Sequence, residues 1–138
     1  MAGAKSSAQI GGRVDGETFT LTQATASHNA GEYLTVATLD RDCPLRFRIL
    51  DVRIKLAAAG VAGGQLRLEI GDGEADEAFV AVTNAMSTDG LGAYSIIRPT
   101  TIDTLNDVVA KGGSLAVYAV SGSTHQYRIE VDCRREDA

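Results

Sequence analysis

The chain has 138 residues, a length that fits one domain with its own core, because domains cluster near ~100–150 residues. Its 18 acidic residues outnumber 13 Lys and Arg, which gives a formal net charge of −5. Nucleic-acid binding is favoured by a basic face, and a membrane helix needs roughly 18 consecutive apolar residues. The sequence shows neither feature, so we expect neither nucleic acid nor a membrane as a partner.

Residues 1–16 are small, polar and glycine-rich, and they offer only Ile10 and Val14 for burial. This composition predicts a flexible N-terminal arm that orders on a partner, with a frayed terminus as the alternative. The same stretch lacks the apolar segment of a signal peptide, so we expect synthesis in the cytoplasm. The predicted organisation is an arm over residues 1–16 and one β-sandwich domain over residues 17–138.

From Thr18 onward, apolar and polar residues alternate with a period of two, the pattern of half-buried strands. The longest such run is LRFRILDVRIKL, residues 45–56. Its apolar phase slips by one residue between Ile49 and Leu50, and such a slip is typical of a β-bulge. We expect Leu50 to share the buried face with Val52 after this bulge.

Later strands are predicted at QLRLEI (65–70, with Glu69 facing outward), FVAV (79–82, buried), AYSIIR (93–98), SLAVYAV (114–120) and YRIEVDC (127–133). The helix-like spacing in TIDTLNDVVAK, residues 101–111, predicts either one short helix or a wide loop with buried anchors. About eight short strands indicate an all-β sandwich. The chain has no Trp, and therefore lacks the Cys…Trp…Cys signature of immunoglobulin domains, so we favour a jelly-roll-like sandwich.

The stretch GDGEADEAF, residues 71–79, contains four carboxylates: Asp72, Glu74, Asp76 and Glu77. An EF-hand loop that starts at Asp72 would need Gly at its sixth position, where Glu77 stands, and Glu at its twelfth, where Thr83 stands. The preferred interpretation is therefore an exposed acidic hairpin turn. A looser calcium site at the four carboxylates is the weaker alternative.

Candidate catalytic groups are few, and each has a structural explanation. His28 and His125 lie in polar, turn-like contexts and are predicted to lie at the surface. Cys43 and Cys133 lack zinc-ligand spacing and are expected to be free thiols, with a bond between them as the alternative. Asp51 is expected to form a structural ion pair. We therefore predict a non-enzymatic protein without a cofactor.

The segment over residues 51–132 combines DVRIKLAAAGVAGG, LRLEIGDG, VTNAM and RPTTIDTLNDVVAKGGSLAVYAVSGS with a last strand, YRIEVDC. It resembles small β-sandwich virion proteins of tailed bacteriophages, the capsid decoration (cement) and head-fibre proteins. The resemblance implies a structural protein on the exterior of the virion that binds the major capsid protein and clamps neighbouring capsid subunits. It also implies a homo-oligomer, with a trimer favoured; Ile10 and Val14 on the arm are the expected capsid contacts.

The competing hypothesis is a receptor- or carbohydrate-binding module of a tail fibre. Sugar-binding platforms usually rely on exposed aromatic rings, especially Trp. This chain has no Trp, and its four tyrosines are Tyr33, Tyr94, Tyr118 and Tyr127. The carbohydrate hypothesis therefore depends on whether these tyrosines lie together at the surface.

Overall fold

The computed structural model describes residues 16–39, 46–72, 78–110 and 112–136. These residues form ten β-strands and no helix. The strands are β1 (Thr18–His28), β2 (Tyr33–Thr38), β3 (Phe47–Leu56), β4 (Gln65–Gly71), β5 (Phe79–Ala81), β6 (Met86–Ser87), β7 (Ile96–Ile97), β8 (Val108–Val109), β9 (Ser114–Ser121) and β10 (His125–Arg135). The described residues therefore contain no helix that is long and apolar enough to cross a membrane.

Two antiparallel sheets form the molecule. The first has the order β1-β10-β3-β7, with β8 also beside β3, and the second has the order β2-β9-β4-β5, with β6 also beside β4. The chain crosses from one sheet to the other six times: between β1 and β2, β2 and β3, β3 and β4, β6 and β7, β8 and β9, and β9 and β10. This winding is the jelly-roll type of double sheet. The predicted all-β sandwich is confirmed.

The core lies between the sheets, because the main strands alternate buried and less buried residues with the predicted period of two. On β10, for example, Ile129 and Val131 are fully buried and Arg128 is exposed. Side chains that are fully buried in the core include Val36, Phe47, Val52, Ile54, Leu66, Leu68, Leu115, Val117, Ile129 and Val131. Aliphatic side chains therefore make up most of the core.

The predicted bulge in β3 is confirmed. Ile49 pairs with Cys133 and Asp51 pairs with Asp132, so Leu50 is one extra residue without a partner on β10. The expectation that Leu50 faces the core is wrong, because its side chain is 38% exposed. The extra residue itself shifts the alternation of buried and exposed positions by one, and its side chain points away from the core.

Two predicted strands are shorter and more exposed than their sequences indicate. The segment over residues 79–82 was expected to be buried, yet β5 is a three-residue edge strand whose Val80 is 47% exposed. Of residues 93–98, only Ile96 and Ile97 form a strand, and Ile96 is 59% exposed. Both β5 and β7 lie at the ends of their sheets, where one flank has no neighbouring strand in the described structure.

The helix predicted in residues 101–111 is absent from the described part of that segment, which is a loop followed by the short strand β8. The amide of Asn106 donates to the carbonyl of Asp103 at 3.1 Å, which closes a turn. The loop alternative, with buried anchors, is correct for Val109, which is fully buried. Leu105 is not an anchor, because its side chain is 91% exposed.

The sandwich has two different ends. At the first, which we call the terminal end, the amide of Gly16 donates to the carbonyl of Arg135 at 2.8 Å and that of Leu39 donates to Gly113 at 2.9 Å. Residues 1–15, 40–45, 73–77, 111 and 137–138, which lie outside the described structure, all connect to it. At the opposite end, which we call the histidine end, β1 finishes at His28 and β10 begins at His125.

Candidate functional site

The acidic stretch lies at the terminal end, between β4 and β5. The amide of Asp72 donates to the carbonyl of Ala78 at 3.2 Å, and the amide of Ala78 donates to Asp72 Oδ1 at 3.3 Å. The two strands therefore form a hairpin. The other predicted calcium ligands, Glu74, Asp76 and Glu77, lie outside the described residues, as do Ile10 and Val14 on the arm. Within the described ranges, no group of three or more His, Cys, Asp or Glu side chains is placed to hold a metal ion.

The prediction that His28 and His125 lie at the surface is wrong. Each is only 3% exposed, and they pair across β1 and β10. His28 Nε2 lies 2.7 Å from the carbonyl oxygen of Glu32, and Nδ1 lies 2.6 Å from the Tyr127 hydroxyl. Because a carbonyl can only accept, Nε2–H is the donor and Nδ1 accepts the Tyr127 proton. The carbonyl that accepts the bond from Nε2 belongs to the turn of residues 29–32. The polar sequence around His28 does not reveal this contact.

Burial lowers the pKa of His28, and the nearby His125 lowers it further, whereas the hydrogen bond to the Glu32 carbonyl acts in the opposite direction. Burial also raises the pKa of the Tyr127 hydroxyl far above its usual value. A neutral imidazole with both nitrogens engaged therefore joins β1, β10 and the following turn. These contacts assign His28 a structural role within the fold.

His125 is held closely by glycines. Its Nε2 lies 2.8 Å from the carbonyl oxygen of Ser121, to which it donates. A Cβ added at Gly64 would lie 2.7 Å from the His125 ring, and one added at Gly122 would lie 3.0 Å from Nε2. Gly122 also has φ +92°, which disfavours any side chain. The two glycines therefore allow the turns to close over the imidazole.

Cys133 is a free thiol that is fully buried in the core. Burial raises its pKa, so the reactive thiolate is disfavoured. Its Sγ lies 3.6 Å from the carbonyl oxygen of Val131, which makes at most a weak hydrogen bond. The expectation of a free thiol is correct for Cys133; Cys43 lies outside the described residues.

Ion pairs cover the outer face of the first sheet. Arg53 donates to both carboxylate oxygens of Asp132, at 2.6 and 3.1 Å, and to Asp51 at 3.1 Å. Asp51 also accepts a hydrogen bond from Arg98 at 2.9 Å, so its predicted structural ion pair is confirmed. The hydrogen bond from Arg53 holds the pKa of Asp132 below its usual value. These charges neutralise one another within the chain.

The outer face of the second sheet carries an aromatic cluster, which we call the aromatic face: Tyr33, Phe79 and Tyr118. The rings of Tyr33 and Phe79 stack with centroids 4.1 Å apart, and the Tyr33 and Tyr118 centroids are 4.7 Å apart. Tyr33 remains 42% exposed. Two of the four tyrosines therefore meet at one surface, whereas Tyr127 is buried in the core.

Glu69 lies beneath the aromatic face and is only 3% exposed, although its outward position on β4 predicted exposure. Its Oε1 accepts a hydrogen bond from the Tyr33 hydroxyl at 3.1 Å, and Oε2 accepts one from Arg67 Nε at 2.7 Å. Partial burial and this carboxylate raise the pKa of Tyr33 to about 12. The Arg67 guanidinium lies 5.5 Å from the Tyr118 ring centroid. The aromatic face is therefore held together by a partly buried polar network.

A second exposed apolar surface adjoins β7. Tyr94 adopts φ 70°, a conformation that is rare for non-glycine residues. Its amide donates to the carbonyl of Leu56 at 2.8 Å, and the amide of Leu56 donates to the carbonyl of Ser95 at 2.9 Å. The Tyr94 side chain is 73% exposed, and that of Ile96, two residues later in the chain, is 59% exposed. The ammonium of Lys55, which pairs with Ile96, lies 6.0 Å from the Tyr94 ring centroid. We call Lys55, Tyr94 and Ile96 the β7 patch.

A groove of about 250 Å³ opens at the terminal end. It is lined by Ile70, Gly71, Asp72, Ala78, Val80, Leu105, Asn106 and Val108. Small-molecule sites usually measure about 300–1,000 Å³, so this groove, which we call the terminal groove, is smaller than most of them. Sequence reasoning missed it because it forms between the β4–β5 hairpin and the loop before β8.

Comparison with known proteins identifies no family. No family model and no curated protein match the chain. One chain of the "Cyanophage Pam1 capsid asymmetric unit" is similar over 87% of this chain and 86% of its own length, with 17% sequence identity and a TM-score of 0.41. The "Crystal Structure of FLHE" is similar over 91% of this chain and 100% of its own, with 12% identity and a TM-score of 0.36. At such low scores and identities, neither similarity bears on function.

Proposed function

We propose that this chain is a non-enzymatic structural protein of a tailed-phage virion that binds the outer surface of the capsid. The β7 patch is the observation that carries the proposal. Tyr94 is 73% exposed on a backbone held in an unfavourable conformation, and such outliers cluster at functional positions. Exposed apolar groups beside a cation are typical of protein–protein contacts, where Tyr is enriched among the residues that dominate affinity.

The sequence resemblance over residues 51–132 supplies the kind of partner, and jelly rolls are frequent among viral capsid domains. Since one fold serves many functions, the fold supports the proposal only by analogy. The proposed partner is the major capsid protein on the exterior of the head. The protein would act as a homo-oligomer, with a trimer favoured, that clamps neighbouring capsid subunits.

The N-terminal arm provides a second proposed contact with the shell, through Ile10 and Val14. An arm that orders on docking adds contact area at an entropic cost. Many copies on one shell make weak individual contacts sufficient, because the contacts act together. The charges of Asp51, Arg53, Arg98 and Asp132 are already paired with one another, so these four side chains are expected to remain in solvent.

The proposal is tested by co-sedimentation of the purified protein with phage heads that lack it. We expect Tyr94→Ser combined with Ile96→Ser to weaken binding roughly thirty-fold, because one dominant contact is worth about 2 kcal/mol or more. Removal of residues 1–16 should also weaken binding while the domain keeps a cooperative thermal transition. Leu50→Ser is the matched control, since it removes an exposed apolar side chain from the same sheet. Undiminished binding by both the patch variant and the truncated protein would contradict the proposal.

The aromatic face favours one alternative, a receptor- or carbohydrate-binding module of a tail fibre. The partly exposed Tyr33 ring contacts both Phe79 and Tyr118, Arg67 lies over Tyr118, and sugars stack on such rings. Because Tyr33 and Phe79 stack on each other, only their outer faces and edges are available to a ligand. A change in tyrosine fluorescence on addition of glycans, lost in Tyr118→Ala, would favour this alternative. An unchanged signal across glycan classes would argue against it.

A further inference from the structure

Two basic side chains on the outer face of the first sheet, Lys55 and Arg128, lack a close carboxylate partner. They lie directly opposite each other where β3 pairs with β10, and both are exposed. In the part of the chain that the structure describes, Lys55 forms no ion pair, and the ion pair of Arg128 is with Glu130 at 3.9 Å. That distance is too long for a hydrogen bond. We call Lys55 and Arg128 the cationic pair.

Other basic residues on or next to the strands of this sheet are closely paired. Four of them have a carboxylate oxygen at 2.9 Å or less: Arg48, Arg53, Arg98 and Arg134. Glu130 does not fully compensate the cationic pair, because it also lies 3.7 Å from Arg53. Like charges directly opposite each other on neighbouring strands destabilise a sheet. A chain in which acidic residues outnumber Lys and Arg, 18 to 13, therefore keeps two adjacent cations without full compensation.

The cationic pair adjoins the β7 patch. Ala24 lies opposite Arg128, and Arg128 lies opposite Lys55. Lys55 in turn lies opposite Ile96, so four exposed residues form a row across β1, β10, β3 and β7. Three strand spacings of ~4.8 Å make this row about 14 Å long, which matches roughly four residues of an extended segment. The row lies at the histidine end, whereas the residues outside the described structure connect to the terminal end.

We propose that the cationic pair and the β7 patch together bind an acidic segment of the major capsid protein. Carboxylates of that segment would lie against Lys55 and Arg128, and an apolar side chain would lie against Tyr94 and Ile96. This inference rests on the proposed binding to the capsid and adds the chemistry of the segment that is bound. Carboxylates would relieve the repulsion between the two cations, and the potentials of two partners are arranged to be complementary across an interface. Nucleic acid fits less well, because two cations on a protein with a net charge of −5 release few counterions.

Co-sedimentation with phage heads that lack the protein tests the inference when it is repeated over a series of salt concentrations. We expect Lys55→Gln combined with Arg128→Gln to weaken binding about fivefold at about 50 mM salt, because each substitution removes one exposed ion pair with the partner. The difference should shrink to less than about twofold near 1 M salt, where the Debye length is about 3 Å. Lys55→Glu combined with Arg128→Glu should weaken binding further at low salt, since each new carboxylate repels the acidic segment.

Arg98→Gln is the matched control. The Arg98 side chain is 56% exposed, close to the 59% of Arg128, but it is already paired with Asp51. The same change of charge at this position should alter binding by less than about twofold. Thermal unfolding checks the fold of each variant. The double glutamine variant should unfold at the temperature of the natural protein or slightly above it, because it removes a pair of like charges.

The outcomes separate this inference from the proposed function. If the natural protein binds the heads and the double glutamine variant binds equally well, the inference is overturned and the role at the capsid stands. The same holds if Arg98→Gln causes an equal loss, or if the loss does not depend on salt. Tighter binding by the double glutamate variant would also overturn it, because the bound segment would then be basic. Failure of the natural protein to bind heads would overturn the proposed function, and this inference with it.

Discussion

At the scale of single residues, the hydrogen bonds of His28 close the histidine end of the sandwich. The imidazole bridges the Tyr127 hydroxyl of β10 and the carbonyl of Glu32 before β2. Loss of the ring would remove the partner of the buried Tyr127 hydroxyl, whereas the Glu32 carbonyl would keep its hydrogen bond from the Ala119 amide at 3.1 Å. A buried polar group left without a partner costs about 1–3 kcal/mol. His28→Ala is therefore expected to destabilise the protein by more than a typical surface substitution.

The lowered pKa of His28 predicts a loss of stability in mild acid. In the unfolded chain the histidine has a pKa of about 6.5, and in the folded protein the value is lower, so the folded state binds fewer protons. The stabilisation is complete above about pH 6.5 and is lost as the pH falls through 6.5 towards the folded value. The groups that face His28 are His125, Glu32 and Tyr127, and His125 adds a second buried imidazole to the same end.

Unfolding in urea at about pH 7.5 and about pH 5 measures this effect. His28→Gln retains a hydrogen-bonding side chain but does not titrate, so it should lose less stability between the two pH values than the natural protein. Glu136, whose pKa the hydrogen bonds from Arg48 and Arg134 hold at about 2, is present in both proteins, so its contribution cancels in the comparison. An equal loss of stability in both proteins would contradict the assignment.

The hydrogen bond between Tyr33 and Glu69 predicts a second pH-dependent loss of stability, at high pH, as the Tyr33 hydroxyl ionises. The pKa of Tyr33 is raised to about 12, so the stabilisation that it confers is present below about pH 10 and is lost between about pH 10 and about 12. Glu69→Gln removes the charge beneath the hydroxyl and should move this titration towards 10. An absorbance titration follows the phenolate, with Tyr33→Phe as the control that lacks the step. A Tyr33 step that is unmoved in Glu69→Gln would show that the carboxylate does not influence the hydroxyl.

At the scale of elements, the bulge in β3 predicts different roles for two adjacent apolar residues. Ile49 is 2% exposed in the core, so Ile49→Ala should lower the free energy of unfolding by about 2–4 kcal/mol. Leu50 is the unpaired bulge residue and is 38% exposed, so Leu50→Ala should change it by about 0.5 kcal/mol or less. Urea denaturation of both variants gives the comparison. Similar losses for the two residues would mean that the bulge lies elsewhere.

Alternation along a strand predicts which side chains share a face, but not whether anything covers that face. The strand β10, which has a neighbour on each side, agrees with its sequence pattern. Val80 and Ile96 are more exposed than their apolar strand sequences predict, because each of their strands has one open flank. Glu69 is the opposite case: it lies on the outward face of its sheet, as predicted, but it is buried. Its burial depends on Tyr33, a residue 36 positions away in the chain.

At the scale of the whole molecule, the two ends of the jelly roll differ in how they are closed. At the histidine end, the side chain of Asn29 accepts a hydrogen bond from the Thr124 amide at 2.7 Å, and Ala30 donates to Gly122 at 3.0 Å. At the terminal end lie the groove and the connections to residues 1–15. The β7 patch and the groove could not be predicted from the sequence, because both depend on loops that meet only in the folded chain.

The central claim is that this protein binds the exterior of a phage head, and antibody–gold labelling of particles from the producing culture tests it most directly. Electron microscopy should show gold spread evenly over icosahedral heads. Gold confined to tails would contradict the claim and favour the receptor-binding alternative that the aromatic face supports. Particles without gold would contradict any role in the virion.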